Sequence, residues 1–506
     1  MVFAQYLLSP WALLAAVVLY YAWPYFVTYR HIRDIPGPLT ARLSNWWLLS
    51  TARRGKRYEI VDEAHKKYGP VMRIQPNHVS INDDEAIQAI YGHGNGFLKA
   101  EYYDAFVSIQ RGLFNTRSRQ DHSRKRKMVS HTFSKSVGQF EPYMHSNLQL
   151  FVQRWDAMLS SSATARVDCL DWFNFIAFDI IGDLAFGAPF GMLRAGADVA
   201  EIRRSSTDPE APPEYAPAVE ILNRRGEVSA TLGCLPALQP FAAWLPDPFF
   251  HKGVTAVRDL AGIAVARVRR RLEQGEGERK EDLLARLMEG RDEKGQPLGR
   301  DELTAEALTQ LIAGSDTTSN SSCALLYHAV RTPGVIEKLR EELDAAVPTD
   351  VPVPNFEQIK DLPYLQAVIN EALRHHSTSG IGLPRVVPPQ SGGVEIKGHY
   401  FPPGTTLSVP TYSIHHSREI WGPDADEFRP ERWEKVTDRQ KNAFIPFSYG
   451  PRACIGRNVA DMELKLIVAT WVRRYDVVLR QDELLTSEGF LRKPLGLDIE
   501  FKRREV

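Results

Sequence analysis

The sequence predicts a mainly α-helical protein with a minor β part, tethered to a membrane by one N-terminal helix. Three observations lead there. Residues 7–27 form an almost unbroken apolar or aromatic run. Most of the following chain repeats its apolar residues at helical spacing. Only residues 71–82 and 390–409 alternate, or mix Gly, Pro and branched apolar residues, in the manner of strands.

The N-terminal run comes first. Residues 1–29 carry no charged side chain. About 20 apolar residues rising 1.5 Å each cross the roughly 30 Å hydrocarbon core of a bilayer. Pro10 and Pro24 stand near the ends of the run, where proline costs a helix least. Tyr20, Tyr21, Trp23 and Tyr25 crowd its C-terminal end as interfacial aromatics do, and Arg30 and Arg33 follow at once. With no Lys or Arg before the run, the positive-inside bias leaves everything after residue 30 in the cytosol. A cleaved signal peptide would need a basic start and a small-residue cleavage site, and neither is visible. Residues 1–29 are therefore read as a single-pass anchor touching lipid through residues 7–27. Ile35-Pro36-Gly37-Pro38 closes a stiff hinge over residues 30–38.

Beyond the hinge, helices are expected at 140–160, 173–186, 254–274, 337–346, 363–376 and 461–474. The longest is expected at 301–331, with acidic residues in its first turn and Pro333 just past its end. Residues 208–217 and 274–280 read as surface loops. Residues 92–96 are glycine-rich but lack the spacing and framing of a nucleotide loop, and read as a turn. The 506 residues carry 62 Lys+Arg against 62 Asp+Glu, which excludes a general nucleic-acid binder. Four cysteines without a C-x-x-C pair exclude a disulfide scaffold and a zinc ribbon.

Cys169, Cys234 and Cys323 lie in apolar segments and read as small core residues. Cys454 differs. It stands in Phe447-Ser448-Tyr449-Gly450-Pro451-Arg452-Ala453-Cys454-Ile455-Gly456, just before a helical run. A thiolate there gains from the helix dipole and its free N–H groups. Gly450 and Gly456 allow backbone to lie close against a flat group, and Arg452 can reach an anionic substituent of that group. One thiolate with one arginine is an arrangement for an axial haem ligand.

This loop resembles the cysteine signature of the cytochrome P450 family, F-x-x-G-x-R-x-C-x-G, at every fixed position. At about 5% usage per residue, a chance match somewhere in the chain has a probability of roughly 10⁻⁴. The resemblance implies the P450 fold, with haem b between a long central helix and the cysteine loop and Cys454 as iron ligand. Glu371-Ala372-Leu373-Arg374 matches the family's E-x-x-R, whose two side chains share a helix face. Arg432, in Phe428-Arg429-Pro430-Glu431-Arg432, takes the place of their third partner; by resemblance the triad is structural, not catalytic. Ala313-Gly314-Ser315-Asp316-Thr317-Thr318 matches the oxygen-binding segment, so Thr317 would donate to dioxygen and Asp316 would relay protons. A polar stretch from Ser315 to Ser322 is costly inside a helix unless it faces a cavity, although threonines bonding back to their own helix are an alternative account. His122-Ser123-Arg124-Lys125-Arg126 occupies the place of the family's W-x-x-x-R, with a His for the Trp. By resemblance His122, Arg126, Arg385, Arg452 and His415 would bind the haem propionates. Arg124, Lys125 and Lys127 read as a solvated face that could dock a redox partner.

The family's chemistry implies a monooxygenase using O₂. No flavin or nucleotide segment stands in the sequence, so electrons from NADPH would arrive through a separate NADPH–cytochrome P450 reductase. An anchored member of this kind would sit in the endoplasmic reticulum membrane, with one catalytic domain of residues 39–506 in the cytosol. Segments 91–99, 106–114, 223–234 and 488–496 further resemble the fungal benzoate para-hydroxylases, which implies conversion of benzoate to 4-hydroxybenzoate in the breakdown of aromatic acids. A small apolar slot is then required, with a donor for the carboxylate, since a buried carboxylate without one is disfavoured. Tyr102, Tyr103, Arg111, Ser377 and Thr378 are the candidates. The alternative is oxidation or O-demethylation of another small aromatic acid or phenolic. A haem-thiolate isomerase or peroxide-driven enzyme is countered by Thr317, which members of that kind often lack; turnover of benzoate would exclude a haem sensor.

Overall fold

The computed structural model describes residues 10–134, 137–203, 214–273, 282–292 and 294–505. Helix α1 is described over Pro10–Trp23. A π-helical turn, Pro24–Thr28, continues it. Together they form the one described helix long and apolar enough to cross a membrane, and none of it is buried in the protein. The start of the expected span, residues 7–9, and the expected loop at 274–280 lie outside the described residues. The hinge is docked rather than free: Ile32 and Ile35 are buried, and the Arg73 N–H donates to the Pro36 carbonyl at 2.8 Å.

Helix α2 is Arg119–Ser134, and α3 is Cys169–Phe186. The Asp168 carboxylate accepts from the Leu170 N–H at the start of α3, and Gly187 ends it at φ 72° in the left-handed region. Helix α4 is Ala218–Gly233, and α5 is Pro248–Glu273. Helix α6, Arg300–Arg331, runs 32 residues with Asp301 and Glu302 in its first turn. It crosses α3 closely: a Cβ on Gly314 would lie 2.6 Å from Ile181 Cδ1. Helix α7 is Pro363–His375, and α8 is Arg457–Arg474. The largest apolar core gathers residues of α3, α6, α7 and α8. The expected helices are all present within a few residues, the largest extensions being six residues at the start of α5 and four each at α3 and α8.

Helices α2 and α4 were not expected from periodicity. The charged stretch of α2 and the Asn223–Arg224–Arg225–Gly226 interruption in α4 break the apolar pattern, and tertiary packing supplies what propensity does not.

The largest sheet has five strands. β1 (Val71–Gln75) and β2 (His78–Ile81) form the expected hairpin. β3 (Leu98–Lys99), β4 (Arg385–Val386) and β5 (Thr406–Ser408) complete the order β1-β2-β5-β4-β3. Only part of the second expected sheet therefore stands alone, the hairpin of Val394–Ile396 with His399–Phe401. β5 instead runs parallel to β2, where Ser408 meets His78 Nε2 at 2.8 Å. Likewise Glu214–Ala216, expected in a loop, pairs with Ala200–Ile202; residues 208–213 of that loop are outside the described residues.

Candidate active site

A cavity of about 330 Å³ lies between α6 on one side and the 445–456 loop with α8 on the other. Cys454 faces it and is exposed to it, although protein encloses the residue elsewhere. The Cys454 N–H donates to the Phe447 carbonyl at 2.9 Å, which closes the loop under the sulfur. Burial pushes the thiol above its usual range, while the Gly456 backbone and the Arg126 and Arg457 charges pull it back. The other three cysteines are buried and touch no cavity wall of this site.

The two glycines of the loop act differently. Gly456 lines the cavity, and a Cβ there would meet nothing closer than Cys454 Sγ at 3.9 Å, so glycine keeps a flat wall beside the sulfur. Gly450 is off the wall. It sits at φ 71° with its Cβ position 1.9 Å from the Tyr91 carbonyl oxygen, so its bareness serves chain packing, not a flat ligand as expected.

At one end of the cavity, cations gather without enough carboxylates to match them. Lys99, Arg385 and Arg452 line it, and Arg126 and His122 stand behind. Burial, then the charges of Arg385 and Arg452, push the Lys99 ammonium far below its ordinary pKa. Arg452 falls to about 10 through burial and its cationic neighbours, and His122 to about 3. Asp121 acts on this cluster but is itself held by Arg124 at 2.7 Å and Thr116 at 2.9 Å. Such a donor set fits a dianionic group seated beside Cys454, as a haem with two propionates would be. His415, expected here, is elsewhere: fully buried, it accepts the Ile445 N–H through Nε2 at 3.0 Å and stacks on Phe444. Arg124 and Lys125 are not a solvated face either. Lys125 is buried against Glu302 and Glu306, the latter at 2.9 Å, and Arg124 pairs with Asp121 and Glu302.

Across the cavity, α6 contributes Gly314, Thr317, Thr318 and Ser321. Thr317 faces it while its hydroxyl bonds back to the Ala313 carbonyl at 2.6 Å. Asp316 points off the wall, accepts from Asn320 Nδ2 at 3.2 Å, and has its pKa raised by burial against the pull of Lys493. The polar stretch is only partly a cavity lining: Ser315 is buried and donates to the Leu311 carbonyl at 2.7 Å. Below, Glu463 of α8 lines the cavity, accepts from Thr318 at 3.3 Å and leaves Oε1 without a partner. Burial raises its pKa to about 8.

The triad meets outside the cavity. Glu371 accepts from Arg374 at 2.9 and 2.7 Å, from Arg432 at 3.3 Å, from Trp433 Nε1 at 3.0 Å and from the Arg429 N–H at 3.0 Å. Arg374 extends to the carbonyls of His415 and Ala425 at 2.7 and 2.8 Å.

Of the expected carboxylate donors, only Tyr103 and Thr378 reach the cavity, and the Tyr103 hydroxyl already accepts from Arg385 at 2.8 Å. Tyr102 faces a separate cavity of about 460 Å³ beside Arg57. Arg111 is paired with Asp104 at 2.7 Å, and Ser377 is buried off the wall. Not expected from the sequence were the aromatic rings Phe106, Phe114 and Phe490, Lys99 at the cationic end, and Arg225 of α4, all of which line the cavity. The signal for Arg225 was its register: it stands four residues after Ile221 and three before Val228, a cation on an apolar helix face.

The chain matches the family model for cytochrome P450 over residues 36–501. It is similar to the benzoate 4-monooxygenase bphA of Aspergillus niger, 61% identical over 99% of this chain and 98% of that protein. A cytochrome P450 monooxygenase of Aspergillus terreus is 30% identical over 93% of this chain and 95% of its own length. The cytochrome P450 monooxygenase cicH of Emericella nidulans is 30% identical over 91% of both chains.

Proposed function

The chain belongs to the cytochrome P450 family and is a monooxygenase of that family; from that premise we propose that it hydroxylates benzoate at the para carbon. The reaction is benzoate + O₂ + NADPH + H⁺ → 4-hydroxybenzoate + NADP⁺ + H₂O. The observation that carries it is the 61% identity, over nearly the whole of both chains, to a benzoate 4-monooxygenase. The part of the cavity walled by Phe106, Phe114 and Phe490 suits one aromatic ring.

In this reading the Cys454 thiolate would hold the iron of haem b, and Lys99, His122, Arg126, Arg385 and Arg452 would hold its propionates. When bound, it supplies the dioxygen activation that inserts one oxygen atom into an aromatic C–H position. The protein's own tasks are narrower. Gly456 keeps the wall beside the sulfur flat, and the Phe447 carbonyl holds the Cys454 N–H. Thr317 presents a hydroxyl to the cavity, and its bond to the Ala313 carbonyl fixes where that hydroxyl sits. Asp316, held by Asn320 and near Lys493, would pass protons from outside the cavity toward Thr317. The Glu371–Arg374–Arg432 triad anchors the chain leading into the cysteine loop.

Electrons from NADPH would arrive through a separate NADPH–cytochrome P450 reductase, which membership of the P450 family supports. Helix Pro10–Thr28 supports a single-pass anchor in the endoplasmic reticulum membrane, with residues 39–506 as one cytosolic catalytic domain. Removing residues 1–29 should release the protein from carbonate-washed membranes; continued sedimentation would count against the anchor. The substrate reading is tested by product analysis after incubating full-length protein with reductase, NADPH and benzoate. 4-Hydroxybenzoate is expected, and an ortho or meta product, or none, would overturn it.

A further inference from the structure

Among the described residues, Arg225 is a buried cation without a carboxylate partner. Only 5% of its surface is exposed, and it lines the cavity from α4. Its Nη2 donates to the Phe106 carbonyl at 2.8 Å, and its Nε has no partner. Among the described residues no carboxylate lies within 4.0 Å of the guanidinium. Burial alone pushes its pKa down to about 10, with no neighbouring charge acting on it. Lys99 and Arg452 differ, because after burial neighbouring cations lower them as well. A buried charge without a counterion is strongly disfavoured, and a ligand anion is one way to relieve it.

The surroundings narrow the ligand. The guanidinium carbon sits 5.3 Å from the centre of the Phe106 ring. Phe106, Phe114 and Phe490 pack on one another with ring centres 5.0 to 5.9 Å apart, each edge to face. Ser108, two residues beyond the Phe106 carbonyl that Arg225 holds, also lines the cavity and has a hydroxyl without a partner. Flat apolar walls with one cation and one free hydroxyl suit a flat ring bearing one anion.

We propose that Arg225 binds the carboxylate of an aromatic monoacid and so selects acids over neutral aromatics. Held by its carboxylate, a benzoate ring points its para carbon away from Arg225, because those positions are opposite on the ring. This rests on the substrate reading above and names the group that would enforce it.

The test uses full-length haem-loaded protein as wild type, Arg225→Gln and Arg225→Lys. Binding of benzoate and of benzamide, its neutral counterpart, is measured by equilibrium dialysis, alongside KM and kcat for benzoate. In Arg225→Gln, benzoate should weaken on the order of 100-fold, as loss of a charged hydrogen-bonding partner does, while benzamide changes less than about threefold. The loss should fall on KM more than on kcat. Arg225→Lys keeps the charge but loses the guanidinium fork, so benzoate should weaken about tenfold and still bind better than benzamide. If Arg225→Gln does not load haem, the tenfold loss in Arg225→Lys decides alone. A benzoate-to-benzamide ratio unchanged from wild type in either variant would overturn the role of Arg225 and leave the substrate reading intact. Wild type that binds neither ligand would overturn the substrate reading and this inference with it.

Discussion

Replacing Glu371 with Ala should destabilise the protein and weaken its hold on haem, without touching the cavity. Glu371 is 0% exposed, and so is Arg374. The change removes the acceptor for Arg374, Arg432, Trp433 and the Arg429 N–H together. Arg432 keeps a counterion in Asp424 at 3.1 Å, whereas Arg374 keeps only carbonyl partners. One buried guanidinium is thus left uncompensated, which costs about 3–5 kcal/mol. The damage has a route to the cysteine loop. Trp433, freed from Glu371, packs on Phe444 with ring centres 4.5 Å apart; Phe444 stacks on His415, and His415 accepts the Ile445 N–H. Unfolding entropy of about 2.1 cal/mol/K per residue gives roughly 1 °C of Tm per kcal/mol in a chain of this length. Thermal unfolding at pH 7, with haem counted per polypeptide, should therefore show a fall of about 3–5 °C and incomplete haem loading. Arg432→Ala, which leaves the Glu371–Arg374 pair in place, should cost less. The partners hold the Glu371 carboxyl below its ordinary pKa of 4.5 in spite of burial. Its contribution is therefore full above that value and lost as the pH falls through the folded pKa. A Tm within 1 °C of wild type and full haem loading in Glu371→Ala would refute the reasoning.

Three further outcomes are expected. Glu463 has the opposite sign: burial raises its folded pKa to about 8, so folding stability should decline as the pH climbs from about 4.5 to 8. Glu463→Gln should flatten that decline in Tm measured against pH, and an unchanged slope would show that the carboxyl is not buried in its neutral form. Gly450→Ala puts a Cβ 1.9 Å from the Tyr91 carbonyl at φ 71°, and should lower stability by at least about 2 kcal/mol in thermal unfolding; a wild-type Tm would contradict the close approach. Thr317→Ala should cut 4-hydroxybenzoate formed per NADPH consumed by on the order of tenfold or more, with Thr317→Ser largely restoring it. An unchanged ratio would remove Thr317 from proton delivery.

Much of the framework was legible in the sequence because its signals are local. Helix α6 announces itself through acidic residues at its start and a proline beyond its end. Cys454 is fixed by a ten-residue loop, and Glu371 meets Arg374 within one helical turn. The parts that were not legible depend on distant segments. Helix α4 looks interrupted at Asn223–Gly226 until Phe106 and the cavity are placed beside it. Arg124 and Lys125 look solvated until α6 brings Glu302 and Glu306 against them. Tyr102 looked available for a ligand, but Arg57, 45 residues earlier in the chain, takes it. Register along α4 carried the one usable hint, a cation at position 225 on an apolar face.

Everything proposed about this cavity depends on Cys454 being the protein ligand to haem iron. The direct measurement is the absorption spectrum of the reduced, carbon-monoxide-bound full-length protein, taken for wild type and for Cys454→Ala at equal polypeptide concentration. Wild type should show the red-shifted band of thiolate-ligated haem, and Cys454→Ala should lose it together with all hydroxylation of benzoate. Persistence of that band in Cys454→Ala would contradict the account.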